Sequence, residues 1–281
     1  MRQRFEFRVL EKFAGRLFSE TEGQKLASGF VRKVIVSDDD PRVERIAALQ
    51  AELNALGEAF FVGWDIHRRY SPKELASAEL LQLIVTSVFE PAADENGTMS
   101  DDTAACRCGA GAPRLSPLIL TAGRIPRRDI ARTIADEIVV STRLTQVFQR
   151  EGITGVRFDP VYLKGTSPLL PSPAFREPVI ANRNVAIAPA TRIGSGLFGR
   201  PEDDNYRCVE GDLLGLNLLS ELFFDPATKG PEDVQATRHF VGVRRGLLRP
   251  HRCILVSPKV GAILIREKFT GFILEVARSA S

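Results

Sequence analysis

No stretch of this chain is long and apolar enough to cross a bilayer as a helix. The opening MRQRFEFRVLEKF alternates charged and apolar residues and so lacks the apolar core of a signal peptide. The expected address is the cytoplasm, where the four cysteines stay reduced. Excess charge is missing too. The 38 Lys and Arg against 35 Asp and Glu leave a net charge of +3, too mild to imply a nucleic-acid partner. The glycines of RIGSGLFGRPEDD come without the Lys-Ser/Thr of a Walker loop or the G-x-G-x-x-G spacing of a dinucleotide fold, so this segment reads as a turn. What remains is globular: 281 residues, 44% hydrophobic, enough for one large domain or two ordinary ones with a core that needs no staples.

One pattern stands out. IVVSTRLTQVFQREGITGVRF begins at Ile138, and ILVSPKVGAILIREKFTGFIL begins at Ile254, an offset of 116 residues. Ile138, Val140, Ser141, Arg150, Glu151, Thr154 and Gly155 match Ile254, Val256, Ser257, Arg266, Glu267, Thr270 and Gly271. Apolar residues at 144, 147 and 148, and again at 260, 263 and 264, share one helical face. Ser141 and Ser257 stand where an N-cap is wanted, with Pro258 at the first helical position. Neither serine lies in a G-x-S-x-G elbow, so both read as caps and not as nucleophiles. The expectation is a duplicated strand-helix-strand unit at 138–161 and 254–277.

The amino-terminal third has its own α/β pattern. FEFRV, FVRKVIV, EAFFVGWDI and LQLIVTSVF read as strands, and a helix capped by Asp40 and opened by Pro41 runs to Gly57. Ser71 and Glu74 have the spacing of a capping box. Residues 91–117 lack periodicity and suggest a boundary, giving an α/β domain at 1–95 and a second domain at 96–281. LKGTSPLLPSPAFREP reads as an irregular connection, and GDLLGLNLLSELFF as a helix.

Candidate chemistry is sparse. Cys106, Cys108 and Gly109 have the look of a zinc knuckle, but one residue separates the cysteines and no second pair exists. Cys208 and Cys253 stand alone next to apolar runs. The expectation is therefore no metal and no cofactor, unless the fold carries a distant cysteine to the loop. Asp65 and His67 would share a strand face, and a polar strand end explains them without an acid–base role. Arg238, Arg244, Arg245, Arg249 and Arg252 form a basic run with only Phe240 interleaved, which offers no stacking platform for single strands and suits an acidic protein surface at least as well as nucleic acid; weak nucleic-acid binding through Arg244, Arg245 and Arg249 is a third reading.

ENGTMSDDTAACRCGAG followed by DIARTIADEIVVSTRLTQVFQREGITGVRFDPV resembles the double-CXXCG proteins and related immunity proteins of bacterial toxin systems. HRCILVSPKVGAILIREKFTGFILEVA is similar to the same segment. The chain departs from that pattern where Asn96 replaces a cysteine and where the knuckle shrinks to Cys106-Arg107-Cys108. The resemblance implies a protein that acts by binding, with no catalytic residues to carry over, its narrower form being neutralisation of a cognate toxin. The expected fold is α/β (mixed α+β) in two domains. The expected function is non-enzymatic protein binding through the arginine run, with no membrane. The alternative is an enzyme or nucleotide-binding protein whose site lies between the two repeat copies.

Overall fold

A computed structural model describes residues 1–26, 29–165, 169–194, 197–198, 207–215, 217–242 and 244–280. The protein has a mixed α/β fold in two compact units, 1–71 with a short piece around Phe198, and 72–281 without that piece. No helix among the described residues is long and apolar enough to cross a membrane. The turn expected at RIGSGLFGRPEDD falls mostly outside the described residues.

The first unit comprises β1 (Arg2–Leu10), α1 (Glu11–Ala14), β2 (Gln24–Lys25), β3 (Val31–Ser37), α2 (Arg42–Ala55) and β4 (Phe61–Arg69). Its sheet has the order β2-β3-β1-β4 and is antiparallel throughout. Alternation along β1 and β3 buries Phe7, Val9, Val34 and Val36. The helix expected from Asp40 starts two residues later. Pro41 occupies the cap position, while the Asp40 carboxylate still accepts the Arg42 amide at 2.9 Å. Buried Arg32 ties the unit together: it pairs with Glu11 and donates to the Ser19 carbonyl at 2.6 Å.

The second unit begins with α3 (Pro72–Ser77), β5 (Leu80–Val85), β6 (Val88–Phe89), β7 (Ile119–Leu120), β8 (Ile130–Thr133), β9 (Ile138–Ser141), α4 (Thr142–Arg150) and β10 (Val156–Leu163). It continues with β11 (Leu170–Ile180), β12 (Ile193–Gly194), β13 (Asn217–Leu218), β14 (Phe223–Phe224), β15 (Val234–Ala236), β16 (Ile254–Val256), α5 (Pro258–Arg266) and β17 (Phe272–Ser279). Two expectations fail here. The helix expected over GDLLGLNLLSELFF is two short strands, β13 and β14. The supposed irregular connection contains most of β11, an 11-residue strand whose prolines disguise it.

Ser141 and Ser257 cap α4 and α5 as expected, accepting the Leu144 amide at 3.2 Å and the Val260 amide at 3.3 Å. The duplication, however, is larger than the strand-helix-strand units. One sheet runs β8-β9-β11-β10-β7, with β6 outside β8; the other runs β15-β16-β5-β17-β14. The registers coincide. Val85 faces Phe272 as Ile180 faces Val156, and Leu81 faces Val256 as Arg176 faces Val140. Each sheet therefore takes its middle strand from the segment that precedes the other half in the chain. This exchange is why the division falls after Ser71 and not near residue 95: β5 belongs to the last sheet of the molecule.

The identities between the copies sit where the halves meet. The Asp129 carboxylate accepts the Ser141 hydroxyl of its own half and the Thr270 amide and hydroxyl of the other, all at 3.0 Å. Asp233 does the same with Ser257 at 2.8 Å and with the amide and hydroxyl of Thr154, both at 3.2 Å. Burial raises the pKa of both carboxyls, but these hydrogen bonds, with Arg143 beside one and Lys259 beside the other, hold both below the ordinary aspartate value. Arg266 pairs with Glu151 at 2.7 Å and Arg150 with Glu267 at 3.3 Å, again crossing between halves. Gly155 and Gly271 lie against the Val234 and Ile130 carbonyls at positive φ, where a side chain has no room.

Candidate metal centre

Each half also carries a tight turn of the same design. In the first, the Cys106 amide donates to the Ala110 carbonyl at 2.8 Å and the Gly109 amide to the Cys106 carbonyl at 2.7 Å. In the second, the Cys208 amide donates to the Asp212 carbonyl at 3.0 Å and the Gly211 amide to the Cys208 carbonyl at 2.9 Å. Gly109 and Gly211 have φ of 84° and 86°, the left-handed conformation that closes both turns. By position, Cys106 matches Cys208, Cys108 matches Glu210, and Ala110 matches Asp212.

The two turns meet. One ligand atom each from Cys106, Cys108, Cys208 and Asp212 lies within 4.8 Å of all the others. The Cys106 and Cys208 sulfurs are 3.7 Å apart, and Cys108 Sγ lies 3.5 Å from Asp212 Oδ2. Zinc–sulfur bonds of about 2.3 Å and a zinc–oxygen bond of about 2.0–2.2 Å at tetrahedral angles require roughly 3.8 Å between sulfurs and roughly 3.6 Å between sulfur and oxygen. The set thus fits a tetrahedral zinc ion. Three soft thiolates disfavour magnesium or calcium. With all four positions supplied by the protein, such an ion would act as a staple, with no open position for a reacting water.

Neighbours hold the ligands in place. The Phe240 amide donates to Asp212 Oδ1 at 2.9 Å, leaving Oδ2 to face Cys108. The Arg244 side chain lies across Gly109, where a Cβ would come within 2.6 Å of it, and pairs with Asp102 at 2.6 Å. The Cys108 amide, hydrogen-bonded to Cys106, lowers that thiol, whereas burial pushes Cys108 up to about 12. Metal binding to this set must therefore displace protons.

The expectation of too few ligands is corrected by this geometry. The fold does carry a distant cysteine, Cys208, to the loop, and Asp212 comes with it. Cys253 remains apart, buried in the apolar core of the second half with Leu255 and Phe224. Asn96, which replaces a cysteine of the double-CXXCG pattern, is buried in a structural role, donating to the Ala92 carbonyl at 3.1 Å and accepting from Thr121 at 2.8 Å. His67 lies 3.3 Å from Glu6 across β1 and β4, and the Asp65 carboxylate accepts the Ile66 amide at 2.8 Å.

The arginine run is divided among different tasks. Arg244 and Arg249 are committed within the molecule, to Asp102 and to Asp102 with Asp94. Arg245 lies exposed at the tip of a hairpin closed by the Val241–His251 and Arg245–Leu248 bridges, and Arg238 is exposed. Arg252 stacks on Phe240, its guanidinium carbon 4.1 Å from the ring centre. No family model matches the sequence, and no curated protein matches it either.

Proposed function

We propose that this protein acts by binding another protein, with the Cys106, Cys108, Cys208 and Asp212 set holding zinc as a staple for the loops that make the contact. Neutralisation of a cognate toxin, acting in the cytoplasm, is the narrower form of this reading and rests on the resemblance to immunity proteins. The observation that supports binding is what surrounds the centre. Val209, between two positions of the second turn, is 90% exposed, and the adjacent hairpin leaves Leu247, Leu248 and Arg245 at its exposed tip. Apolar groups beside an uncommitted cation, on loops fixed by a metal, suit recognition of a partner with an acidic and apolar surface.

The test is affinity capture from the native host, comparing the wild-type protein with Val209→Asp and Leu248→Asp variants of unchanged unfolding midpoint. Capture of one partner that both variants lose supports the reading. Equal capture by all three proteins, or none by the wild type, overturns it. Arg245→Glu should chiefly slow association with that partner, more so at low salt.

A further inference from the structure

We propose that the cleft between the two duplicated halves binds a small molecule through a carboxylate or phosphate group, gripped by Arg183 and Arg252. The cleft borders the loops of the preceding section through Gly109, Phe240 and His251, but anion binding by Arg183 and Arg252 does not depend on a protein partner and is tested without one. The cleft measures about 630 Å3 and is lined from both halves, by Asp136, Glu137 and Ile138 on one wall and by His251, Arg252 and Ile254 on the other. That volume lies within the range of sites for metabolite-sized ligands, roughly 300–1,000 Å3.

The two walls are built differently and carry opposite charge: Asp136 lies in the tight turn between β8 and β9 at φ 71°, and Arg252 ends the longer excursion between β15 and β16. Counted back from the matched Ile138 and Ile254, Asp136 corresponds to Arg252, so an acidic side, where Asp136 pairs with Arg132 at 2.9 Å, faces a basic one; Cys253, the counterpart of Glu137, is buried in the core and does not line the cleft. Most arginines around the cleft are committed. Arg114 forks onto Glu177 with both contacts at 2.6 Å, and Arg249 pairs with Asp94 and Asp102. Arg183 and Arg252 differ: among the described residues neither has a carboxylate in salt-bridge reach. Arg183 donates from Nε to the Ile180 carbonyl at 2.9 Å. Arg252 is fixed from below by Phe240, and its Nη1 alone donates to the Thr237 carbonyl at 2.7 Å and to the Arg238 carbonyl. Its Nε and Nη2 edge is left with the paired donors that match an oxyanion.

Burial first, and then the nearby charge of Arg183, push the Arg252 guanidinium below its ordinary value. Two cations held near each other, one of them half-buried and anchored, leave a favourable place for an anion: it relieves their repulsion and replaces lost hydration. On the opposite wall the Glu137 carboxyl is pushed up to about 7 by burial, so near neutrality it can meet a polar end of the ligand as donor or acceptor.

Calorimetric titration of the full-length protein with inorganic phosphate and with succinate, against sodium chloride at matched ionic strength, tests the site. The expected result is saturable binding of at least one oxyanion, absent with chloride and weakened by about tenfold or more in Arg183→Gln. Arg183 is exposed, so that variant keeps its fold, as its unfolding midpoint will show; Arg252→Lys should also weaken binding by removing the fork. Arg157→Gln, on an exposed pair with Asp159 outside the cleft, should bind as the wild type does. No saturation with either oxyanion, or unaltered binding by Arg183→Gln, would overturn the proposal.

Discussion

Replacing Asp129 with alanine removes the acceptor that joins one half's helix cap to the other half's Thr-Gly turn. Besides the Arg143 guanidinium, at 3.2 Å, three donors lose their partner at once: the Ser141 hydroxyl, the Thr270 amide and the Thr270 hydroxyl, each now at 3.0 Å. The carboxylate side chain is 14% exposed, so water replaces it poorly. Hydrogen bonds to a charged group contribute about 1.5–3 kcal/mol each and do not add fully, so Asp129→Ala should cost on the order of 3–5 kcal/mol. Urea unfolding at neutral pH should show this as a lower midpoint with an unchanged slope. Asp233→Ala should cost a similar amount, because its contacts are the duplicate set. Thr270→Val combined with Asp129→Ala should cost less than the two separately, with a coupling of about 1 kcal/mol or more. The pH dependence follows in sign. Both carboxyls are held below their ordinary value when folded, so their contribution is present above the unfolded pKa and is lost as pH falls through the folded one. A loss below about 1 kcal/mol in Asp129→Ala, or strict additivity with Thr270→Val, would refute the clamp.

Elemental analysis should find one zinc per chain, and chelation should lower the melting temperature, since metal binding energy becomes folding energy. Cys208→Ser should lose that metal while Cys253→Ser, away from the cluster, keeps it; equal metal content in both would rule out the centre. Glu137→Gln should make the protein more stable at pH 8 by up to about 3 kcal/mol, with little effect at pH 4. The raised carboxyl contributes fully below its unfolded pKa and loses that contribution as pH rises through about 7, so pH-independent unfolding of the wild type between 4 and 8 would count against it. Gly271→Ala should cost several kcal/mol, because φ is +96° and the new Cβ would lie 1.9 Å from the Ile130 carbonyl oxygen. Gly123→Ala, with open space around it, is the neutral comparison.

Much of the second unit was legible because its helix caps and Thr-Gly turns are local signals with fixed spacing. The remainder of the duplication hid behind changing offsets. Strand β5 leads β11 by 95 residues and β8 leads β15 by 104, whereas the segments beginning with β9 and β16 are 116 apart. A search at one offset finds only the third piece. Asp129 and Asp233 were missed for this reason, although each partners a matched serine and threonine. The prolines of β11 read as loop because a single sequence does not say which amides the sheet leaves unpaired. Cys208 and Asp212 were missed for a different reason: Cys208-Val209-Glu210-Gly211 follows the first turn's Cys106-Arg107-Cys108-Gly109 at a distance of 102 residues, but its third residue is no longer a cysteine.

The comparison of the halves also separates the positions they share from those at which they have diverged. Positions that keep the halves together are retained in both copies: the capping serines, the clamping aspartates, the Thr-Gly turns and the Arg-Glu pairs. Among the many positions that differ, four carry charge or ligand chemistry. Cys108 has Glu210 as its counterpart and Ala110 has Asp212, so two equivalent turns supply unequal ligands to one shared centre. Asp136 has Arg252 as its counterpart, so the two sides of the cleft carry opposite charge, while Glu137 has Cys253, which is buried in the core. A symmetric pair of turns would offer matched donors, and a symmetric cleft would set like charges against each other across the axis, an unfavourable arrangement without a bound counter-ion. Divergence at these four pairs removes that conflict while leaving the clamps untouched. Restoring symmetry at one of them is therefore the sharper perturbation: Asp212→Ala, which copies the first turn into the second, should abolish the metal centre without disturbing the Asp129 and Asp233 clamps, seen as lost zinc with an unchanged Asp129–Thr270 coupling.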